Sequence, residues 1–230
     1  MISIDNADLF LRVRNVHPQV HAKRLDKLLG YRISKIEVKL LQQYQAYDKC
    51  PDHSNRKKHF EGAPAWIGLH PQALQTPYND LYDIFFSLRM HEISRVIDVG
   101  CAYGRIGIVM SHFFPYSSFV GYEIVKRRVS EANRIFQKYA LDNCEVVHAN
   151  ILDAGFVLPE AQVYFIYDFG EISDIQYALS LILKRMASKP FYLVVRGEQV
   201  EALLNQQVAL NQNWRAVGVV SILKIFSPKW

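Results

Sequence analysis

The stretch Arg95–Ile108, RVIDVGCAYGRIGI, decides how the rest of the chain is read. An apolar run carries one acid, Asp98, and then meets a turn in which Gly100 and Gly104 let the backbone come close to a ligand. Behind the turn, RIGI opens an apolar helix whose first N–H groups have no partner within the helix and point back at the turn. Strand, glycine turn and helix in this order form the first βα unit of a doubly wound sheet, and such sheets bind ligands at the carboxyl ends of their strands. The following strand, SSFVGYE, ends in Glu123, 23 residues after Gly100. An acid at that tip suits a ribose diol, because a carboxylate accepts two hydroxyl hydrogen bonds at once.

Outward from this unit, short apolar runs alternate with longer amphipathic ones. RVIDV, SSFVGYE, CEVVHA, QVYFIYD and PFYLVVR read as strands, and GRIGIVMSHFF, KRRVSEANRIFQKYA and EISDIQYALSLILKRMA as the helices between them. Near-continuous apolar strands in β-α-β order predict a parallel sheet covered on both faces. The tail, NWRAVGVVSILKIFS, reads as two strands that join the sheet edge as an antiparallel hairpin. The expected fold is α/β: a doubly wound, mostly parallel, seven-stranded Rossmann-like sheet with a C-terminal antiparallel hairpin, behind a small helical extension. We place the helical extension at residues 1–70 and the α/β domain at 71–230. The first 47 residues read as helical. Ile33, Ile36, Leu40, Leu41, Tyr44 and Tyr47 recur at helical spacing, and Gly30 stops the helix before them. KCPDHSNRKKHFEGAPAW is polar and reads as a loop or linker. Thr76 and Pro77 then suit the start of a helix with Leu81, Ile84, Phe85 and Leu88 on its apolar face.

The turn pattern is G-x-A-x-G, not the G-x-G-x-x-G that seats a dinucleotide pyrophosphate. Asp98, two residues before the first glycine, would repel a pyrophosphate and attract a cation. S-adenosylmethionine carries an ammonium and a sulfonium and no phosphate, so the acid favours it over NAD. VIDVGCAYGRIGI resembles motif I of the class I S-adenosylmethionine-dependent methyltransferases, VGYE their motif II, and VVHANILD the stretch after their third strand. The likeness covers about residues 76–226. It implies backbone contacts to the cofactor from Gly100, Ala102 and Gly104, with Asp98 near the methionine end. Glu123 would take the ribose hydroxyls, and Asn150 or Ile151 would flank the adenine. Asn150 stands where the family often has Asp. DVGCAYGR, with Arg105, looks closest to the Dot1-like and related lysine methyltransferases. In these a segment such as GLHPQALQTPYNDL closes over the cofactor, which puts Gln75, Thr76 and Tyr78 at the pocket border and Tyr103 near the methionine moiety.

After the fourth strand, IYDFGEISD stands where base N-methyltransferases carry [ND]-P-P-[YF], and the prolines are missing. Methyl transfer is an in-line displacement, so the enzyme mainly positions and desolvates the acceptor. Asp168 beside Tyr167 can hold an incoming lysine ammonium by charge and cation–π contact, which makes a protein side-chain nitrogen the expected acceptor. Asp168 as a helix cap and Tyr167 as a core residue fit the same residues. Arg196, in VVRGE, is placed on the same face, as partner of an acidic substrate group or of Asp168 or Glu171. The other readings are a methyltransferase for RNA or small molecules, an inactive module that keeps the fold, and an NAD-dependent oxidoreductase.

Charge bears on the partner. Residues 1–75 hold 12 Lys and Arg against 7 Asp and Glu, and residues 76–230 hold 15 of each, so the net +5 lies in the first third. That excess fits either a solvated helical surface or a nucleic-acid partner, with Tyr44, Tyr47, Phe60 and Trp66 available for stacking or for core packing. Cys50, Cys101 and Cys144 form no CxxC pair, so free thiols in a reducing, cytoplasmic setting are expected, and Cys50, His53 and His59 are not read as a metal site. No basic and apolar leader opens the chain and no run of about 18 apolar residues occurs, so neither secretion nor a membrane span is expected.

Overall fold

The computed structural model describes residues 6–43, 67, 70, 72, 75–170, 172–186, 189–209, 214–220 and 223–228. Helix α1 (Pro18–Leu29) and helix α2 (Ile33–Gln43) come first, followed by α3 (Tyr78–Leu88). The sheet then opens with β1 (Arg95–Val99), α4 (Arg105–Phe113), β2 (Ser118–Glu123), α5 (Lys126–Lys138) and β3 (Cys144–His148). It continues with β4 (Val163–Tyr167), α6 (Ile172–Arg185), β5 (Tyr192–Arg196), α7 (Glu198–Ala209), β6 (Trp214–Val220) and β7 (Leu223–Pro228). Among the described residues the strand order is β3-β2-β1-β4-β5-β7-β6. Strands β1 to β5 pair in parallel. Strand β7 runs antiparallel to β5, and β6 antiparallel to β7. Order reverses at β1, which pairs β2 on one side and β4 on the other, so the ligand crevice of a doubly wound sheet falls at the carboxyl ends of these strands.

Alternation along the strands explains the two covered faces. Val96 and Phe165 pack with α3, α4 and α5 in one core, whereas Ile97, Tyr164 and Ile166 pack with α6 and α7 in another. Ala22, Leu25 and Leu29 of α1 and Ile33 of α2 are buried in the first of these cores, each large apolar side chain contributing about 1.5–3 kcal/mol. Gly30 ends α1 with φ 87°, its N–H on the Lys27 carbonyl, and the Tyr31 N–H reaches the Asp26 carbonyl. The helix α7, EQVEALLNQQVA, lies between the fifth strand and the two-stranded tail, where the sequence reading places no element; Val200, Leu203 and Leu204 mark its buried face. Tyr44, Tyr47, Phe60, Trp66, Glu171 and the group Cys50, His53 and His59 lie outside the described residues. Among the described residues no helix is long and apolar enough to cross a membrane.

Candidate functional site

The turn after β1 takes a backbone path that few residues tolerate. Gly100, Ala102 and Gly104 all have positive φ, at 76°, 49° and 70°. The N–H groups of Gly100 and Cys101 both reach the Tyr122 carbonyl at 3.0 Å, which ties the turn to the end of β2. Gly104 caps α4, and a Cβ there would lie 2.9 Å from Cζ of Phe136. A Cβ on Gly100 would lie 3.1 Å from Cβ of Phe169, so the residue after Asp168 sits over the turn.

Two acids converge on this turn. Asp98 is 3% exposed, and its Oδ1 has no hydrogen-bond partner. Burial pushes its carboxyl well above the usual carboxylate range, and the neighbouring charge of Glu123 pushes it the same way. Glu123 is 5% exposed and accepts the Val125 N–H at 2.8 Å through Oε1. Burial raises its pKa as well, although Arg128 and N–H bonds from Val125 and Ala102 oppose the shift. Arg128 stands 3.9 Å from Glu123 but bonds more closely to Glu37, at 2.9 and 3.2 Å. Two buried acids thus share the crevice with Arg128, which bonds more closely to Glu37 than to either of them. An unpartnered buried carboxylate oxygen is costly, and a bound cation relieves it. An unpartnered buried carboxylate, a second acid beside it and a turn open to close backbone approach fit a ligand that carries a cation and hydroxyls, as S-adenosyl-L-methionine does.

A second cluster stands beside it at the ends of β4 and β5. Tyr167 and Thr76 share a hydrogen bond between their hydroxyls, and Arg196 Nη1 donates to Thr76 Oγ1 at 3.3 Å with its guanidinium 6.0 Å from the Tyr167 ring centre. Burial and the Asp98 charge raise the Tyr167 pKa, so this phenol stays protonated at neutral pH. Gln75 is buried with neither side-chain amide atom bonded. Asp168 does something else. Its two oxygens accept the N–H groups of Gln199 and Val200 at 3.1 and 3.0 Å, so it caps α7, not the helix that directly follows it. Gly197, at φ 122°, makes room: a Cβ there would lie 2.3 Å from the Asp168 carboxyl carbon.

Other predicted site residues turn elsewhere. Tyr103 donates its hydroxyl to Glu37 Oε1 at 2.6 Å, the same oxygen that accepts from Arg128. Tyr78 donates to Asp26 Oδ1 at 3.0 Å, and the Arg105 guanidinium lies 5.0 Å from its ring centre. Arg105 pairs with Asp26 and also donates to the Thr76 carbonyl at 3.2 Å, so it latches α1 onto the glycine turn. The amide of Asn150 is used locally, donating to Asp153 at 2.9 Å and accepting the Leu152 N–H at 3.1 Å. Ile151 is buried in the α6–α7 core. Sequence reading passed over Arg128, Glu37 and Phe169. Arg128 had a signal, lying one helical turn into α5 directly behind Glu123; the other two meet the site only through the tertiary fold.

The methyltransferase domain family matches residues 91–216, more than half of the chain. An uncharacterized protein of Rickettsia prowazekii (strain Madrid E), RP789, is 30% identical over 87 residues, a match that covers 36% of this chain and 16% of that protein. The chain thus spans only a small part of that relative. Among solved structures, the precorrin-6y C5,15-methyltransferase of Geobacter metallireducens GS-15 superposes with a TM-score of 0.52 at 16% identity, over 68% of this chain and 90% of that one. TrmN from Thermus thermophilus gives 0.51 at 16% identity, over 68% of this chain and 49% of that one. These two share the Rossmann-like fold with the chain. With the glycine turn, the two converging acids and the sheet order in place, the chain belongs to the methyltransferase domain family.

Proposed function

We propose that this protein transfers a methyl group from S-adenosyl-L-methionine to a neutral or anionic acceptor at the Thr76–Tyr167–Arg196 end of the crevice. The observation that carries the cofactor reading is the buried, unpartnered Oδ1 of Asp98 beside a turn with three positive-φ residues. When bound, the cofactor supplies a methyl group activated on a sulfonium. Gly100, Ala102 and Gly104 hold it by backbone approach, Asp98 and Glu123 by charge and hydrogen bonds, and the Asn150–Ile151 turn flanks the adenine. Tyr167 and Thr76 position the acceptor and exclude water from it.

A lysine acceptor rested on Asp168 as its ammonium anchor. That carboxylate serves the first turn of α7, and among the described residues the cation beside Thr76 and Tyr167 is Arg196, half-buried at the end of β5. A guanidinium repels an ammonium and attracts an oxyanion or a phosphate. This supports an acceptor other than lysine, with RNA and small molecules ahead of protein. Incubation with methyl-tritiated S-adenosylmethionine and either bulk RNA or unmethylated bulk protein tests the reading. Label in the RNA fraction, lost in Glu123→Ala, is expected. Label confined to protein lysines would overturn the acceptor assignment.

A further inference from the structure

Helices α1, α2 and α5 treat their two kinds of charge differently. Each has its acids inside: Asp26 on α1, Glu37 on α2 and Glu131 on α5 are 5%, 6% and 2% exposed. Each acid is met by an arginine, Asp26 by Arg105, Glu37 by Arg128, and Glu131 by both Arg32 and Arg134. The exposed charges on these helices are then cations alone. Lys23, Arg24 and Lys27 stand out on α1, and Lys35 and Lys39 on α2. Lys126 and Arg127 open α5 immediately behind the Glu123 end of β2, and Lys138 closes it. A surface with interspersed signs needs no partner, whereas a single-sign field steers one of opposite charge.

The field has a shaped focus. Between α2 and α5 runs a groove of about 270 Å³ lined by Arg32, Lys35, Lys39, Arg127, Ser130 and the neutralised Glu131, with Ile36 at its floor. Lys35 and Lys39 are one turn apart, about 6 Å along the helix, so both face the same way. The groove sets its cations along the edges of a recess between two helices, which suits a strand of phosphates better than a flat bilayer. Ser130 Oγ donates to the Lys126 carbonyl at 2.9 Å, leaving its oxygen lone pairs to accept a hydroxyl. A ribose 2′-OH is such a donor.

We propose that the α2–α5 groove docks the backbone of single-stranded RNA and leads it to the crevice beside Glu123. What the docked RNA is for rests on the methyl-transfer reading above; the docking itself does not. The test measures fluorescence anisotropy of a labelled mixed-sequence RNA, about 20 nucleotides long, against the full chain over a salt series. Lys35→Glu, Lys39→Glu and Arg127→Glu combined should weaken RNA binding at least tenfold. The combined variant should also flatten the log–log salt slope by about 2, the loss of three single-strand phosphate contacts. Lys184→Glu with Arg185→Glu, exposed on α6 across the sheet, should leave RNA binding within twofold. Thermal shift by S-adenosylhomocysteine is read in parallel and should be the same in all three proteins. RNA affinity equal in wild type and the groove variant overturns the proposal, as does equal affinity for DNA of the same sequence or binding only to anionic vesicles. Loss of the S-adenosylhomocysteine shift in wild type, with RNA binding kept, overturns the cofactor reading instead and leaves the groove standing.

Discussion

Asp98→Asn separates what the carboxylate costs the fold from what it gives the ligand. The side chain is 3% exposed and Oδ1 is unbonded. Leaving a buried polar atom unsatisfied costs about 1–3 kcal/mol, at the upper end for a charge. The amide keeps the shape and removes the charge, so the ligand-free variant should be more stable by about 2 kcal/mol at pH 7.5. For a chain of this size that is about 4–8 °C in Tm. The pH dependence carries the same signature. Because burial raises the folded pKa above the ordinary 3.8, the folded protein keeps a proton that the unfolded chain has lost. Stability therefore declines as pH rises above about 4, and this decline should be shallower in the variant. The cofactor ammonium loses a charged hydrogen-bond partner worth about 1.5–3 kcal/mol, so S-adenosylhomocysteine should bind about ten- to a hundredfold more weakly. Differential scanning calorimetry from pH 4 to 8, with and without ligand, reads all three effects. A variant that is less stable than wild type without ligand would refute the reasoning, because Asp98 would then be bonded within the fold.

Other positions give independent checks. Arg105→Met leaves Asp26 buried without its guanidinium, which should cost about 3–5 kcal/mol and lower Tm by about 6–20 °C in thermal melts. Asp168→Ala should cost about 1 kcal/mol through the lost α7 cap, seen as a fall of about 2–4 °C. Gly197→Ala should cost more than that, because the new Cβ meets the same carboxylate from a strained φ; a neutral result would show that the cap is not made. Although burial alone would raise Glu131, hydrogen bonds from Arg134 and Arg32 hold it at about 2. Its stabilisation is present above about pH 4.5 and is lost as pH falls towards 2, so acid titration followed by circular dichroism should show a shallower loss in Glu131→Gln.

The sequence carried the sheet because each parallel strand is buried on both faces and so reads as a continuous apolar run. RVIDV coincides with β1, and the other four parallel strands differ from their reading by one or two residues at an end. The glycine turn was legible for a local reason: positive φ at 100 and 104 favours glycine, and the acid stands two residues before the first of them in the same strand–turn–helix unit. What escaped is long-range. Asp168 meets Gln199 and Val200, 31 and 32 residues on, and nothing local distinguishes such a cap from an acceptor anchor. Tyr103 and Tyr78 stand within the right segments but turn to Glu37 and Asp26, acids on helices 52 or more residues away. Helical periodicity marked the apolar face of α2 but gave no warning that Glu37 would be buried on it, since the groups that make that burial tolerable, Arg128 and the Tyr103 hydroxyl, come from distant segments.

The most direct measurement is a calorimetric titration of S-adenosylhomocysteine into the wild-type chain and into Glu123→Ala. Saturable one-to-one binding to the wild type, abolished in the variant while its fold persists by circular dichroism, is the predicted result. No heat of binding to the wild type, or equal binding to both, would contradict the claim that the glycine turn and its two acids hold the methyl donor.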